Sequence, residues 1–133
     1  MVTDTPDLDV ARAAGTDAAQ DLIDVVQVCR DLIRFDTSNP GQLERPAAEY
    51  VASRIADCGL EPTLLENAPG RTNVVVRVAG EDSTLPAMLV HSHLDTVPAV
   101  ADEWTHHPLS GEIVDGQIWG RGAVDMKNAV AMY

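Results

Sequence analysis

The sequence predicts an α/β fold in which a mostly parallel sheet is covered by helices. Two amphipathic stretches come first, over residues 17–35 and 46–58. Short apolar runs bounded by Pro, Gly and Asn then replace the helical period, and two of them, residues 73–76 and 87–90, are apolar at successive positions. Strands that are apolar on both sides are typical of a parallel sheet with helices on both faces.

The first sixteen residues are rich in Asp, Ala and Thr and have no apolar period, so residues 1–16 are predicted to be a mobile leader. From Asp17 onward, apolar side chains recur at steps of three and four residues, which predicts a helix that packs on a core and ends near Phe35. Residues 36–41 are then a loop, because their Asn-Pro and Pro-Gly pairs disfavour helix.

A second helix is predicted to begin near Pro46, a favourable first-turn residue, and to stop at Gly59. A two-residue hairpin turn is predicted at Asp115-Gly116, and a last helical stretch over residues 126–133. Strands are predicted at residues 63–65, 74–78 and 88–90, with two short ones around the hairpin turn.

Length and composition limit the class of protein. At 133 residues and 14.2 kDa, with 45% hydrophobic and 23% charged residues, the chain resembles one ordinary globular domain. Nine basic against 21 acidic residues give a net charge of −12, which argues against nucleic-acid binding. The apolar runs are too short for a transmembrane helix, and no secretory signal is recognisable, so we expect a cytoplasmic protein. Cys29 and Cys58 suit buried, reduced thiols.

Two histidines and an aspartate follow the predicted strand at residues 88–90. His91, His93 and Asp95 alternate, so they share one side of the chain if the extended geometry continues. A neutral imidazole binds Zn²⁺ through one ring nitrogen, and a carboxylate that accepts the other N–H fixes its tautomer. His93 with Asp95 suits this arrangement, and solvated histidines at a polar strand end are the alternative.

A second polar segment, residues 119–127, runs from a strand through a glycine-flanked turn into a helix. Gly120 and Gly122 permit a sharp turn or a close approach of the backbone. A dinucleotide-binding turn is excluded, because Asp125 stands where its third glycine would be. Asp125 can bridge two cations, or it can cap the helix that follows, which the segment alone favours.

His106 and His107 are a third potential source of ligands. A His-His-Pro loop cannot easily aim both rings at one ion, so we interpret them as loop residues, with Trp104, Pro108 and Leu109 as packing anchors.

Together these segments resemble the co-catalytic zinc metallopeptidase family that includes acetylornithine deacetylase, succinyl-diaminopimelate desuccinylase, carboxypeptidase G and the aminoacylases. The resemblance is specific between residues 88 and 127, and the loop over residues 36–41 is a weaker similarity. The two matching signatures are His93-Leu94-Asp95-Thr96-Val97-Pro98 and Gly120-Arg121-Gly122-Ala123-Val124-Asp125-Met126-Lys127.

The resemblance implies a role for each site residue. His93 binds one zinc ion, Asp125 bridges two, and Asp95 is catalytic in that it orients His93 and tunes the metal site. It also implies a cis peptide bond between Asp125 and Met126. The cofactor is then zinc, two ions in the complete enzyme, with cobalt or manganese as substitutes.

The function implied by the resemblance is metal-dependent hydrolysis of amide or peptide bonds in N-acyl amino acids or short peptides, with a homodimer as one assembly of the complete protein. Catalytic zinc needs about three protein ligands per ion, more than these residues supply. The resemblance also implies further ligands, a general-base glutamate and a lid domain, none of which these residues include. We therefore expect residues 17–133 to be the truncated N-terminal part of a zinc-peptidase catalytic domain, inactive alone.

Two other hypotheses are compatible with the sequence. In the first, the chain is a non-catalytic remnant or interaction module that retains part of the metal site. In the second, it is a single-metal binding protein, whose ligand shell would need His91, His106 or His107.

Overall fold

The computed structural model describes residues 16–133, with side chains from residue 25 onward. The predicted leader, residues 1–16, lies outside the described residues except for Thr16. In that described range no helix is long and apolar enough to cross a membrane. The elements are α1 Thr16–Arg34, α2 Arg45–Asp57, β1 Thr63–Ala68, β2 Arg71–Val75, a 3₁₀ turn Ala101–Glu103, β3 Ile113–Val114, β4 Gln117–Ile118 and α3 Lys127–Met132.

Both long helices lie where the sequence predicts them. The apolar stripe of α1 forms the centre of the core, where Cys29, Leu32 and Ile33 are buried. Helix α2 has its proline in the first turn and is followed by Gly59 with φ +79°, as expected for a helix stop.

The strands β1 and β2 form an antiparallel hairpin that packs against α2. Only Pro69 and Gly70 separate them, and a connection this short joins antiparallel strands, whereas parallel strands need a crossover of a dozen or more residues. The second sheet, β3 with β4, is also antiparallel. The α/β class is therefore confirmed, but the parallel sheet is not: the described residues contain one parallel pairing, the bridge between Ser38 and Thr96.

The strand predicted at residues 88–90 is not formed among the described residues, and its burial prediction is wrong there. The side chains of Met88 and Leu89 are 86% and 85% exposed. A strand requires a hydrogen-bonded neighbour, and within residues 16–133 nothing pairs with this stretch. The apolar pattern marks a surface that the described part of the chain leaves uncovered.

The predicted two-residue turn lies between β3 and β4, where Asp115 and Gly116 both adopt positive φ, 51° and 75°.

The last residues of the chain contact α1. Helix α3 packs on α1. Its first residue, Lys127, is 1% exposed and donates a hydrogen bond from Nζ to the main-chain oxygen of Phe35 at 2.8 Å. Burial lowers the pKa of Lys127 to about 8, against the opposing charges of Asp36 and Cys29.

The two cysteines differ in environment. Both are free thiols, as predicted, and Cys29 is buried in α1. Cys58 is exposed, so the prediction of two buried thiols is wrong for it. Its position explains the difference, because Cys58 is the C-cap of α2, where the helix ends and the backbone turns toward Gly59.

Gly111 gives a test of how the loop after the 3₁₀ turn packs on α1. Its φ is +57°, and a Cβ added to it would lie 2.5 Å from the main-chain oxygen of Arg30. Gly116 has φ +75° and open space around it. Both alanine substitutions strain the backbone, but only Gly111→Ala also overpacks, so we expect it to lower the free energy of unfolding by about 1–3 kcal/mol more than Gly116→Ala.

Urea unfolding followed by circular dichroism measures both variants. Equal losses of stability would contradict the close packing of Gly111 on α1.

Candidate metal centre

The structure brings His93, Asp95 and Asp125 together from two segments of the chain. The ring nitrogen His93 Nε2 lies 3.0 Å from Asp125 Oδ1. The other ring nitrogen, Nδ1, lies 3.0 Å from the main-chain oxygen of Asp95 and 3.3 Å from its carboxylate Oδ1. Each nitrogen of one imidazole therefore faces a different aspartate.

The glycine turn places Asp125 beside His93. Gly120 and Gly122 have φ +154° and +85°, and a Cβ on Gly122 would lie 2.9 Å from Cγ2 of Thr96. A side chain at this position would push the turn away from the His93 segment. The predicted close approach of the backbone is therefore confirmed. The peptide bond between Asp125 and Met126 is cis, as the family resemblance implied.

Asp125 does not cap the last helix. The N-cap of α3 is Met126, without a side-chain hydrogen bond, and the Asp125 carboxylate instead faces the His93 ring. The helix-cap interpretation, which the sequence alone favoured, is wrong because the turn directs this carboxylate across to the other segment.

The charges around His93 favour its protonated form. Partial burial opposes protonation, but the main-chain oxygen of Asp95 and the carboxylates of Asp125 and Asp95 together raise the pKa of His93 above its ordinary value. The ring thus lies between two carboxylates, whose charges also favour a bound cation.

The other histidines lie outside this cluster. His91 is exposed and does not line the cavity that His93 and Asp95 share. His106 Nδ1 lies 2.8 Å from Glu112 Oε1, and its ring packs on Trp119. His107 accepts a hydrogen bond from the main-chain nitrogen of Leu109 at 3.2 Å. The interpretation of His106 and His107 as loop residues agrees with this geometry.

An open cavity of about 660 Å³ lies in front of the pair. Its lining residues include Asn39, Trp104 and Arg121, none of which was identified as a site residue from the sequence. The guanidinium of Arg121 lies 5.0 Å from the ring centroid of Trp104, and its buried Nε has no hydrogen-bond partner among the described residues. Arg121 lies in the second signature and Asn39 in the loop of residues 36–41, so the sequence contained a cue that each lies near the site.

The donors fit zinc in type and spacing. Imidazole nitrogen and carboxylate oxygen are common zinc ligands, and two donors bound tetrahedrally at about 2.0–2.2 Å lie roughly 3.3 Å apart, close to the 3.0 Å between His93 Nε2 and Asp125 Oδ1. Asp95 faces the opposite ring nitrogen and cannot share that ion. Accordingly, the described residues contain no group of three or more His, Cys, Asp or Glu placed to hold a metal.

Comparison with known proteins points to one family. Residues 89–133 match the model of peptidase family M20/M25/M40, and this range contains His93, Asp95 and Asp125. Aminoacylase-1 of Sus scrofa is 34% identical over 109 residues, which is 81% of this chain and 27% of that protein. Succinyl-diaminopimelate desuccinylase of Methylorubrum populi is 37% identical over 105 residues, 75% of this chain and 26% of that protein.

A second succinyl-diaminopimelate desuccinylase, from Wolbachia pipientis, is 31% identical over 112 residues, 84% of this chain and 27% of that protein. The chain spans about a quarter of the length of the curated relatives it matches. The chain belongs to peptidase family M20/M25/M40, and the resemblance noted from the sequence is confirmed.

Proposed function

We propose that this chain supplies His93 and Asp125 to a two-zinc centre, and that the complete protein hydrolyses amide or peptide bonds in N-acyl amino acids or short peptides. The observation that carries the proposal is the 3.0 Å approach of His93 Nε2 to Asp125 Oδ1 in an open cavity. The relatives named aminoacylase and succinyl-diaminopimelate desuccinylase support an acylated amino acid as the substrate class.

Each residue has a distinct task in this proposal. Asp95 accepts the Nδ1–H of His93, which leaves the lone pair of Nε2 for the metal. Asp125 offers two carboxylate oxygens, enough to contact both ions. The metals, with cobalt or manganese as substitutes for zinc, would polarise the scissile carbonyl and lower the pKa of a bound water.

The cavity supports a small anionic substrate. Its volume of about 660 Å³ lies within the range of small-molecule sites. Arg121 brings a positive charge to its wall, in a chain whose net charge is −12. A free carboxylate on the substrate would find its partner there.

The remaining parts of the site are proposed to lie outside this chain. We infer that residues 17–133 are the N-terminal part of the catalytic domain, and that the exposed stretch around Met88 and Leu89 becomes a strand of its mostly parallel sheet. The chain covers about a quarter of the length of its relatives, and the other three quarters of those proteins are long enough to hold further ligands, a general base and a lid domain. Two free thiols support the cytoplasm as the compartment, and a homodimer remains a proposal for the complete protein.

A non-catalytic interaction module is the second candidate. One observation favours it. The described residues place only two ligand atoms where they could share one ion, and catalytic zinc needs about three protein ligands. Metal content of the complete protein separates the two proposals.

Substitution of the two donors tests the metal assignment. In the complete protein, His93→Ala and Asp125→Asn should each abolish activity and remove bound zinc, because each removes an atom that contacts the ion. His91→Ala is the matched control and should retain both. Metal analysis together with an N-acyl amino acid assay measures the outcome, and zinc loss in His91→Ala with retention in His93→Ala would overturn the assignment.

Asp95→Asn should have a smaller effect. The closest acceptor of the Nδ1–H is the main-chain oxygen of Asp95, which this substitution retains, while the carboxylate at 3.3 Å is lost. We expect a loss of about 10- to 100-fold in zinc affinity or activity. Zinc competition titrations measure it, and complete loss of zinc would show that Asp95 itself binds metal.

Residues 1–133 alone should bind zinc weakly and hydrolyse no N-acyl amino acid, because the described donors leave the shell open. Exposed apolar side chains such as Met88 and Leu89 should also make this polypeptide prone to aggregation. Metal analysis after zinc loading and assays of several N-acyl amino acids and dipeptides test this. Two tightly bound ions with turnover above background would show a complete site within these residues.

A further inference from the structure

The segment that carries His93 and Asp95 is anchored at one place. In the described part of the chain, every hydrogen bond that ties the main chain of residues 86–99 to another segment goes to residues 37–39. Thr96 N donates to the main-chain oxygen of Thr37 at 3.1 Å, and Asn39 N donates to the oxygen of Thr96 at 2.8 Å. The hydroxyl of Thr37 donates to the oxygen of Leu94 at 2.7 Å. These bonds flank Asp95 on both sides.

The segment that carries Asp125 is anchored to the same stretch of chain. Lys127, two residues after Asp125, donates from Nζ to the oxygen of Phe35 at 2.8 Å. The main-chain nitrogen of Lys127 also donates to the oxygen of Gly122 at 2.8 Å, which closes the turn around Asp125. Residues 35–39 therefore contact both halves of the metal centre.

The contacts between these parts are buried. Thr37 is 1% exposed and Thr96 is 7% exposed. Thr96 in turn packs so closely on Gly122 that a Cβ there would lie 2.9 Å from its methyl group. A displacement of the Thr37 main chain would thus also shift Leu94 and Thr96, which flank Asp95, and the turn that carries Asp125. Close-packed groups leave no free space that could absorb such a displacement.

We infer that residues 35–39 set the separation between His93 and Asp125, and that Thr37 is a positioning residue for the metal centre. This inference rests on the proposed function in that it takes the pair to be a metal site. Among the described residues, Thr37 forms no hydrogen bond with His93 or Asp125. It acts through Leu94 and Thr96, whose positions fix Asp95 and, through Asp95, the orientation of the His93 ring.

The hydroxyl of Thr37 makes the inference testable with nearly isosteric changes. Thr37→Val retains the shape but removes the donor, so the partly buried oxygen of Leu94 loses its partner. Thr37→Ser keeps the hydroxyl. Thr72→Val is the matched control: Thr72 is 6% exposed, donates its hydroxyl to Glu66 Oε2 at 3.0 Å, and does not line the cavity.

The experiment compares these three variants with the wild type in the complete protein. Zinc affinity is measured by competition with a chelator, stability by urea unfolding, and the His93–Asp125 approach by NMR cross-relaxation between the His93 ring protons and the Asp125 Hβ protons without metal. We expect Thr37→Val to lose about 10- to 100-fold in zinc affinity together with the cross-relaxation, and Thr37→Ser to restore both. Thr72→Val should lose stability but neither of these signals.

A folded Thr37→Val protein with wild-type zinc affinity and cross-relaxation would overturn the inference, as would an equal loss of affinity in Thr72→Val. If Thr37→Val does not fold, amide exchange in the wild type decides: zinc must slow exchange of the Asn39 and Thr96 N–H groups, because coupling between two sites is reciprocal, and unchanged exchange overturns the inference. If the wild type binds no zinc, the proposed function fails, while the metal-free cross-relaxation still tests the role of Thr37.

Discussion

The approach of Gly122 to Thr96 is the contact on which the candidate metal centre depends. It joins the two segments that carry the polar residues, and it is possible only because position 122 has no side chain and tolerates φ +85°. With this contact in place, the Asp125 carboxylate reaches His93 Nε2. Without it, the same residues would remain a polar strand end and a helix cap, as each segment alone suggests.

The surrounding structure supports this contact with buried polar groups. Thr37, Thr96 and Lys127 are all nearly inaccessible, and each donates a hydrogen bond to a main-chain oxygen of another segment. A buried lysine is costly, and burial lowers the pKa of Lys127 to about 8 despite the opposing effect of Asp36 and Cys29. The hydrogen bond from its Nζ to the main-chain oxygen of Phe35 ties α3 to the residue that follows α1. The buried residues at the end of α1 therefore help to position the candidate metal centre as well as to stabilise the fold.

The sequence predicted the local elements well and their assembly less well. Helical periodicity located α1 and α2, and Asp115-Gly116 located the β3–β4 turn, because these signals are local. The parallel sheet was inferred from apolar runs, yet the Pro69-Gly70 connection already required β1 and β2 to be antiparallel. The stretch around Met88 has the pattern of a buried strand but no partner among the described residues, and one sequence cannot show what will cover it.

The candidate site was likewise predicted only in part. His93, Asp95 and Asp125 were identified from their pattern and from the family resemblance, and the structure brings them together. A carboxylate of Asp95 near one ring nitrogen of His93 was expected from the sequence, whereas the 3.0 Å approach of Asp125 to the other nitrogen depends on how the glycine turn folds back. The positions of Asn39, Trp104 and Arg121 on the cavity wall also depend on the fold, since loop residues distant in sequence meet only after folding.

Anomalous diffraction at the zinc edge, from crystals of the complete protein grown with zinc, tests the proposed metal centre directly. We expect an anomalous peak within bonding distance, about 2.0–2.2 Å, of both His93 Nε2 and a carboxylate oxygen of Asp125, with Asp95 at the other nitrogen of the ring. Zinc bound at His106 or His107, or at His93 with Asp125 turned away, would contradict it.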